Sequence, residues 1–177
     1  MIFHDTPIQG AFLVEMELLQ DERGAFARAW CRKEFEAKGL CSDFVQSNVS
    51  YNKYKDTLRG MHYQKDPYQE IKLVRCIQGA IYDVIVDLRK DSKTYLQSYG
   101  VELKGDGHKA LYIPKGVAHG FQTLEDNSNV LYMHAEYYVP EAATGVRWDD
   151  PKLNIQWPEA ENRTMSEKDA DWPLIAE

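Results

Sequence analysis

Between Val130 and Tyr138 the even positions are Tyr132, His134, Glu136 and Tyr138, while the odd positions are Leu131, Met133, Ala135 and Tyr137. In a strand, alternate side chains point to opposite faces, so this segment predicts one apolar face and one face of functional groups. Inside a barrel such a face lines a ligand cavity. His62 stands in the run Leu58-Arg-Gly-Met-His-Tyr-Gln64, and an imidazole with a reference pKa of about 6.5 is neutral enough near pH 7 to take up a proton. A lone strand histidine is more often packed than catalytic, so the neighbouring Arg59 and Gln64 give His62 its interest. Lys72 offers a point charge or a solvated stem, and Tyr132 a donating phenol or a cavity wall. Ser166-x-x-Asp169 has the form of a helix N-terminal box, with Asp169 bonding backbone donors.

These groups need strands to hold them. From Ala80 to Arg89 one parity set is Tyr82, Val84, Val86 and Leu88, and the other is Ile81, Asp83, Ile85, Asp87 and Arg89. That alternation predicts a strand with one greasy face. Strong helix formers from Arg32 to Lys38, followed by Gly39, predict one short helix with a glycine C-terminal cap. Elsewhere short strands broken by Gly and Pro turns, without a βαβ rhythm, predict a mainly β antiparallel sandwich or barrel. The turn-rich stretch from Trp148 through Trp157-Pro158 to Asp169 is expected to fold across it as an arm or lid, with a short helix. No repeat or linker divides the chain, and 177 residues suit one core, so residues 1–177 are read as a single domain.

Composition narrows the function. Apolar residues at 44% and charged ones at 28% are ordinary for a globular chain, and 12% aromatics lean toward β structure or a carbohydrate or base site. With 21 basic and 28 acidic residues the net charge is −7, which repels polyanions and excludes nucleic acid as a partner. A small anion remains a fitting ligand where a few cations converge. Cys31, Cys41 and Cys76 are odd in number and lack Cys-x-x-Cys spacing, against a disulfide framework or zinc knuckle and in favour of a reducing compartment. The N-terminus lacks a basic head and apolar run, and no segment is long enough to span a bilayer, so a cytoplasmic protein without a membrane partner is expected.

Three stretches together carry a family pattern: Leu58-Arg-Gly-Met-His-Tyr-Gln64; Lys72-Leu-Val-Arg75 with Asp83-Val-Ile-Val-Asp-Leu-Arg89; and Ile113-Pro-Lys-Gly-Val-Ala-His-Gly-Phe121. With Asp21-Glu-Arg-Gly24, Gln46-Ser-Asn48, Tyr137-Tyr138, Trp157-Pro158 and Ser166-Glu-Lys-Asp169, the chain resembles the dTDP-4-dehydrorhamnose 3,5-epimerases. The resemblance runs from about residue 20 to the end, in order and spacing. It implies a cupin-type jelly-roll barrel with short helices, working as a homodimer without metal or cofactor on a nucleotide-diphosphate sugar. His62 then matches the general base, Asp169 its paired carboxylate, Lys72 the cation beside the C4 oxygen and Tyr132 the proton donor on the opposite face. Arg59 matches a diphosphate contact; Arg23, Gln46, Asn48, His119 and Tyr138 match further binding positions, and Phe26 an aromatic that stacks on the base.

The implied chemistry is coherent. A proton on carbon beside a ketone is removable only if a base is near and the enolate oxygen is stabilised as charge arrives there. Inversion needs a second group on the other side. Two positions depart from the pattern: Glu70 stands where many members have glutamine, at the entrance or on the outer surface, and Arg28 stands where many have a glutamate able to accept from thymine. The alternatives are a C3-only or C5-only epimerase on another nucleotide sugar, a sugar-nucleotide-binding cupin without activity, and a metal-dependent cupin. Pro114-x-Gly116-x-x-His119 is similar to the second metal motif of the last class, but the position seven residues before Gly79, where its first motif has glutamate, holds Lys72. An ammonium there repels a divalent ion.

Overall fold

A computed structural model describes residues 1–175. Strands β1 (Ile2–Asp5) and β2 (Phe12–Glu15) lead into a hairpin of β3 (Leu18–Asp21) and β4 (Gly24–Ala27), then helix α1 (Arg32–Ala37). Strands β5 (Gln46–Asn52), β6 (Leu58–Gln64), β7 (Lys72–Gln78), β8 (Ala80–Asp87), β9 (Ser98–Lys104), β10 (Lys109–Ile113), β11 (Val117–Thr123), β12 (Ser128–His134) and β13 (Ala143–Gly145) follow, and α2 (Glu167–Ala170) lies in the C-terminal arm. One sheet runs β1-β2-β10-β7-β12-β5, the other β13-β6-β11-β8-β9, and the hairpin stands apart. From β5 to β8 and again from β10 to β12 the chain passes from sheet to sheet at each connection, which builds the antiparallel jelly-roll.

The helix ends as its sequence dictates. Gly39, at φ +75°, donates to the Glu36 carbonyl and Leu40 to that of Phe35, the paired bonds of a Schellman stop. Phe35 is fully buried against Val14, Leu73, Ala110 and Tyr112, a burial contributing about 1.5–3 kcal/mol. Between the sheets Val74, Ile81, Ile85, Leu111, Phe121 and Val130 form the main core.

Strand β8 differs from its expected single greasy face, because both faces are buried. Ile81 and Ile85 face the main core, while Val84 and Val86 pack with Met61, Val146 and Leu153 of the arm. The arm covers Val84 and Val86, which would otherwise meet solvent, while Asp83 and Asp87 share the inward parity of Ile81 and Ile85, are wholly enclosed and must be satisfied inside. Asp87 takes Arg89, Ser92 and Thr94 as donors, and Asp83 lies 2.6 Å from His119 Nε2. Strand β12 also ends earlier than its alternation, at His134. His134 pairs with Gln46 and Lys72, the first residues of β5 and β7, and one backbone bond follows it, from the Ala135 N–H to the Ile71 carbonyl at 2.9 Å.

Two close approaches fix the framework of the cavity. A Cβ on Gly60, at φ +127°, would lie 2.5 Å from Gly120 Cα, so only glycine lets β6 and β11 meet there. A Cβ on Gly145 would lie 2.5 Å from the Trp172 ring, and that gap lets the arm seat its indole on β13.

Candidate active site

A cavity of about 350 Å³ opens within the barrel, with walls from both sheets and from the arm. His62, Lys72, Tyr132, Arg59, Gln46, Asn48, His119 and Tyr138 all line it. The polar face of β12 contributes Tyr132 and His134, as its alternation predicted. Tyr138 reaches the cavity from beyond the strand end, and its backbone N–H donates to Gln46 Oε1 at 3.2 Å.

Asp169 stands behind His62, its Oδ1 2.6 Å from the imidazole Nε2. The carboxylate also accepts from the Gly60 N–H at 3.3 Å and the Trp172 indole at 3.2 Å. Burial pushes its pKa up, but the His62 contact and the two further donors outweigh this and hold it below the usual range. The helix box is present too, in its serine half: Ser166 Oγ accepts from the Asp169 backbone N–H at 3.1 Å. The backbone of Asp169 is capped while its side chain turns to His62.

Lys72 is buried, with Nζ 2.9 Å from Glu70 Oε1 and 3.4 Å from the His62 carbonyl. Glu70 therefore belongs to the cavity wall, not the outer surface, and its second oxygen accepts from His134 Nδ1 at 2.8 Å. Burial raises its pKa, yet His134 and Lys72 overcome this and hold it at about 2. The His134 ring stacks on Tyr132 with centroids 5.8 Å apart and 16° between planes. Burial, with the Asp83 charge beside it, pushes the Tyr132 phenol well above its ordinary pKa, against a smaller opposing effect of Arg59. That phenol keeps its proton until a strong base takes it. Arg59 is exposed, and its Nε donates to Asn52 Oδ1 at 2.7 Å.

Arg23, Phe26 and Arg28 do not reach this cavity. Arg23 and Phe26 sit on the β3–β4 hairpin, where Arg23 pairs with Asp21 and Phe26 is 73% exposed; Arg28 follows β4 and pairs with Glu34. Glu70, His134, Asp83 and Trp172 join the site although the sequence assigned them no role. Asp83 signalled itself as a carboxylate in a greasy strand, and Trp172 lies one helical turn after Asp169. Among the described residues no group of three His, Cys, Asp or Glu side chains is gathered to hold a metal, and no helix is long and apolar enough to cross a membrane.

The two-sheet barrel and its polar, histidine-bearing cavity define a cupin-type protein. The family model described as dTDP-4-dehydrorhamnose 3,5-epimerase matches residues 5–177. The dTDP-4-dehydrorhamnose 3,5-epimerase of Methanothermobacter thermautotrophicus is 42% identical over 177 residues, covering 99% of this chain and 95% of its own length. The crystal structure of the Bacillus anthracis enzyme of that name, with TDP and PPi bound, superposes with a TM-score of 0.94 at 44% identity, over 98% of this chain and 99% of that one. The dTDP-6-deoxy-D-glucose-3,5-epimerase of Legionella pneumophila, in complex with dTDP-4-keto-L-rhamnose, gives 0.92 at 37% identity, over 98% and 92%. This chain belongs to the dTDP-4-dehydrorhamnose 3,5-epimerase family.

Proposed function

We propose that this protein is one epimerase domain that inverts C3 and C5 of dTDP-4-keto-6-deoxyglucose, giving dTDP-4-keto-rhamnose for deoxysugar synthesis. The observation that carries the reading is the pairing of His62 with Asp169 at 2.6 Å in a cavity that also holds Tyr132 and Lys72. An ionised Asp169 only accepts, so Nε2 of His62 keeps its proton and Nδ1 is left to take one from the sugar carbon. Lys72 stabilises the enolate oxygen, and Tyr132 returns a proton on the other face. Arg59 binds the diphosphate, with Gln46, Asn48, His119 and Tyr138 around the sugar. No step calls on a metal or cofactor.

The working form is a homodimer in the cytoplasm. Leu19 and Phe26 on the hairpin are 71% and 73% exposed, a cost that burial on a second copy removes. In that arrangement Arg23, Phe26 and Arg28 serve the nucleotide in the partner's cavity. Cys31, Cys41 and Cys76 are all free, in keeping with a reducing compartment. Incubation with dTDP-4-keto-6-deoxyglucose in deuterated water tests the reaction. Deuterium at both C3 and C5 with inverted product supports it, label at one carbon only points to a single-centre enzyme, and absence of exchange refutes it.

A further inference from the structure

Glu70 carries a charge into the cavity wall that the reaction as described does not use. It lies between β6 and β7, its side chain 11% exposed, and its two oxygens go to two different groups. Oε1 is 2.9 Å from Lys72 Nζ, and Oε2 is 2.8 Å from His134 Nδ1. His134 in turn stacks nearly parallel on Tyr132, a contact that restrains the ring. Resting on the epimerase reading, we infer that Glu70 is a positioning residue that fixes the enolate-stabilising cation and the far-face proton donor relative to one another.

The physical need is plain. Lys72 is a flexible four-carbon stem carrying a compact charge, and its other contact, the His62 carbonyl at 3.4 Å, is long. Without Glu70 the ammonium swings among rotamers and no longer meets the C4 oxygen in one place. The phenol of Tyr132 makes no side-chain hydrogen bond among the described residues, so the stacked His134 and the T-shaped His119 at 5.9 Å hold its ring. Held at about pKa 2, Glu70 stays an acceptor throughout the working pH range and keeps the proton on His134 Nδ1. One carboxylate thus ties the two sides of the sugar site together.

Glutamine has the same length and can make the same bridge, accepting from Lys72 and donating its amide to His134 in the other tautomer. Alanine can make neither bond. Glu70→Ala is expected to lower kcat about 10²-fold, the scale of a misplacement near 1 Å, with dTDP affinity unchanged and the melting transition still cooperative, at a lower temperature because the ion pair is lost. Glu70→Gln is expected to recover most of that loss. In a Lys72→Met background Glu70→Ala should cost clearly less, because part of its effect passes through Lys72. Wild-type kcat in Glu70→Ala, an equal loss in Glu70→Gln, or full additivity with Lys72→Met overturns the inference. Inactivity of the unaltered chain on the keto-sugar would instead overturn the epimerase reading beneath it.

Discussion

Replacing Asp169 by asparagine removes one charge from the base and almost no volume. Among the described residues Oδ1 of Asp169 meets two donors, His62 Nε2 and Trp172 Nε1, whereas Oδ2 meets only the Gly60 N–H at 3.3 Å. The asparagine oxygen takes the Oδ1 place, which satisfies both ring donors, and its amide faces Gly60 at the cost of one long bond. The His62 tautomer is kept, so what is lost is the attraction between imidazolium and carboxylate as the proton arrives. At a charge separation near 4 Å and an effective dielectric of about 20, that attraction is about 4 kcal/mol. His62 keeps 43% of its side chain exposed, and solvent screening roughly halves the figure. About 2 kcal/mol corresponds to a kcat roughly 30-fold lower. Because the Asp169 side chain does not line the cavity, KM should hardly move. Steady-state epimerisation of the keto-sugar, with parallel calorimetry of dTDP binding, measures both. A kcat within threefold of wild type would refute the dyad, and a fall approaching 10⁴ would mean that the tautomer was reversed.

His62→Ala should abolish solvent deuterium exchange along with turnover, a loss of at least about 10²-fold. Tyr132→Phe should leave exchange with retention while inverted product declines, and equal rates of inversion in mutant and wild type would remove the phenol from the mechanism. Glu70 has a folded pKa of about 2 against an ordinary 4.5, so the folded state gains stability above pH 4.5 and loses it as pH falls toward 2. The gain is up to roughly 3 kcal/mol, and Glu70→Gln should flatten that acid limb in thermal melts. Light scattering should give a dimer, and Phe26→Ala should weaken dTDP binding in calorimetry; a monomer at micromolar concentration would count against the shared site. Binding should favour dTDP over UDP, CDP and GDP, and a preference for CDP or GDP would assign a different base.

Local patterns were legible wherever a segment's own neighbours determined its conformation. The α1 stop at Gly39 and the functional face of β12 follow from spacing alone. What the sequence left open depended on distant chain. Nothing in β8 itself says that Leu153 and Val146 will cover Val84 and Val86, so burial of both faces could not be read from its alternation. The end of β12 depends on distant chain in the same way, since it is set by where β5 and β7 begin. Of the site, His62, Lys72, Tyr132 and Asp169 were legible through the family pattern. Glu70 appeared only as a departure whose side of the wall was undetermined, because a residue between strands has no parity to place it. Arg23 and Phe26 match binding positions in sequence and Arg28 departs from the pattern at one, and yet all three lie away from the cavity of their own chain.

The arm separates two properties that share one cavity. Strands β1 to β13 carry Arg59, Gln46, Asn48, Lys72 and Tyr132, whereas Asp169 and Trp172 arrive on chain that crosses the barrel afterwards and is docked by Trp172 against Gly145. Pro158 to Asn162 are at least partly solvent-exposed along that crossing. If the roles proposed above hold, a single protease cut there, followed by release of the fragment behind it, would leave a protein that still captures nucleotide and no longer turns over sugar. Such a nicked form would act as a sink for its own ligand, competing with intact copies in the same solution.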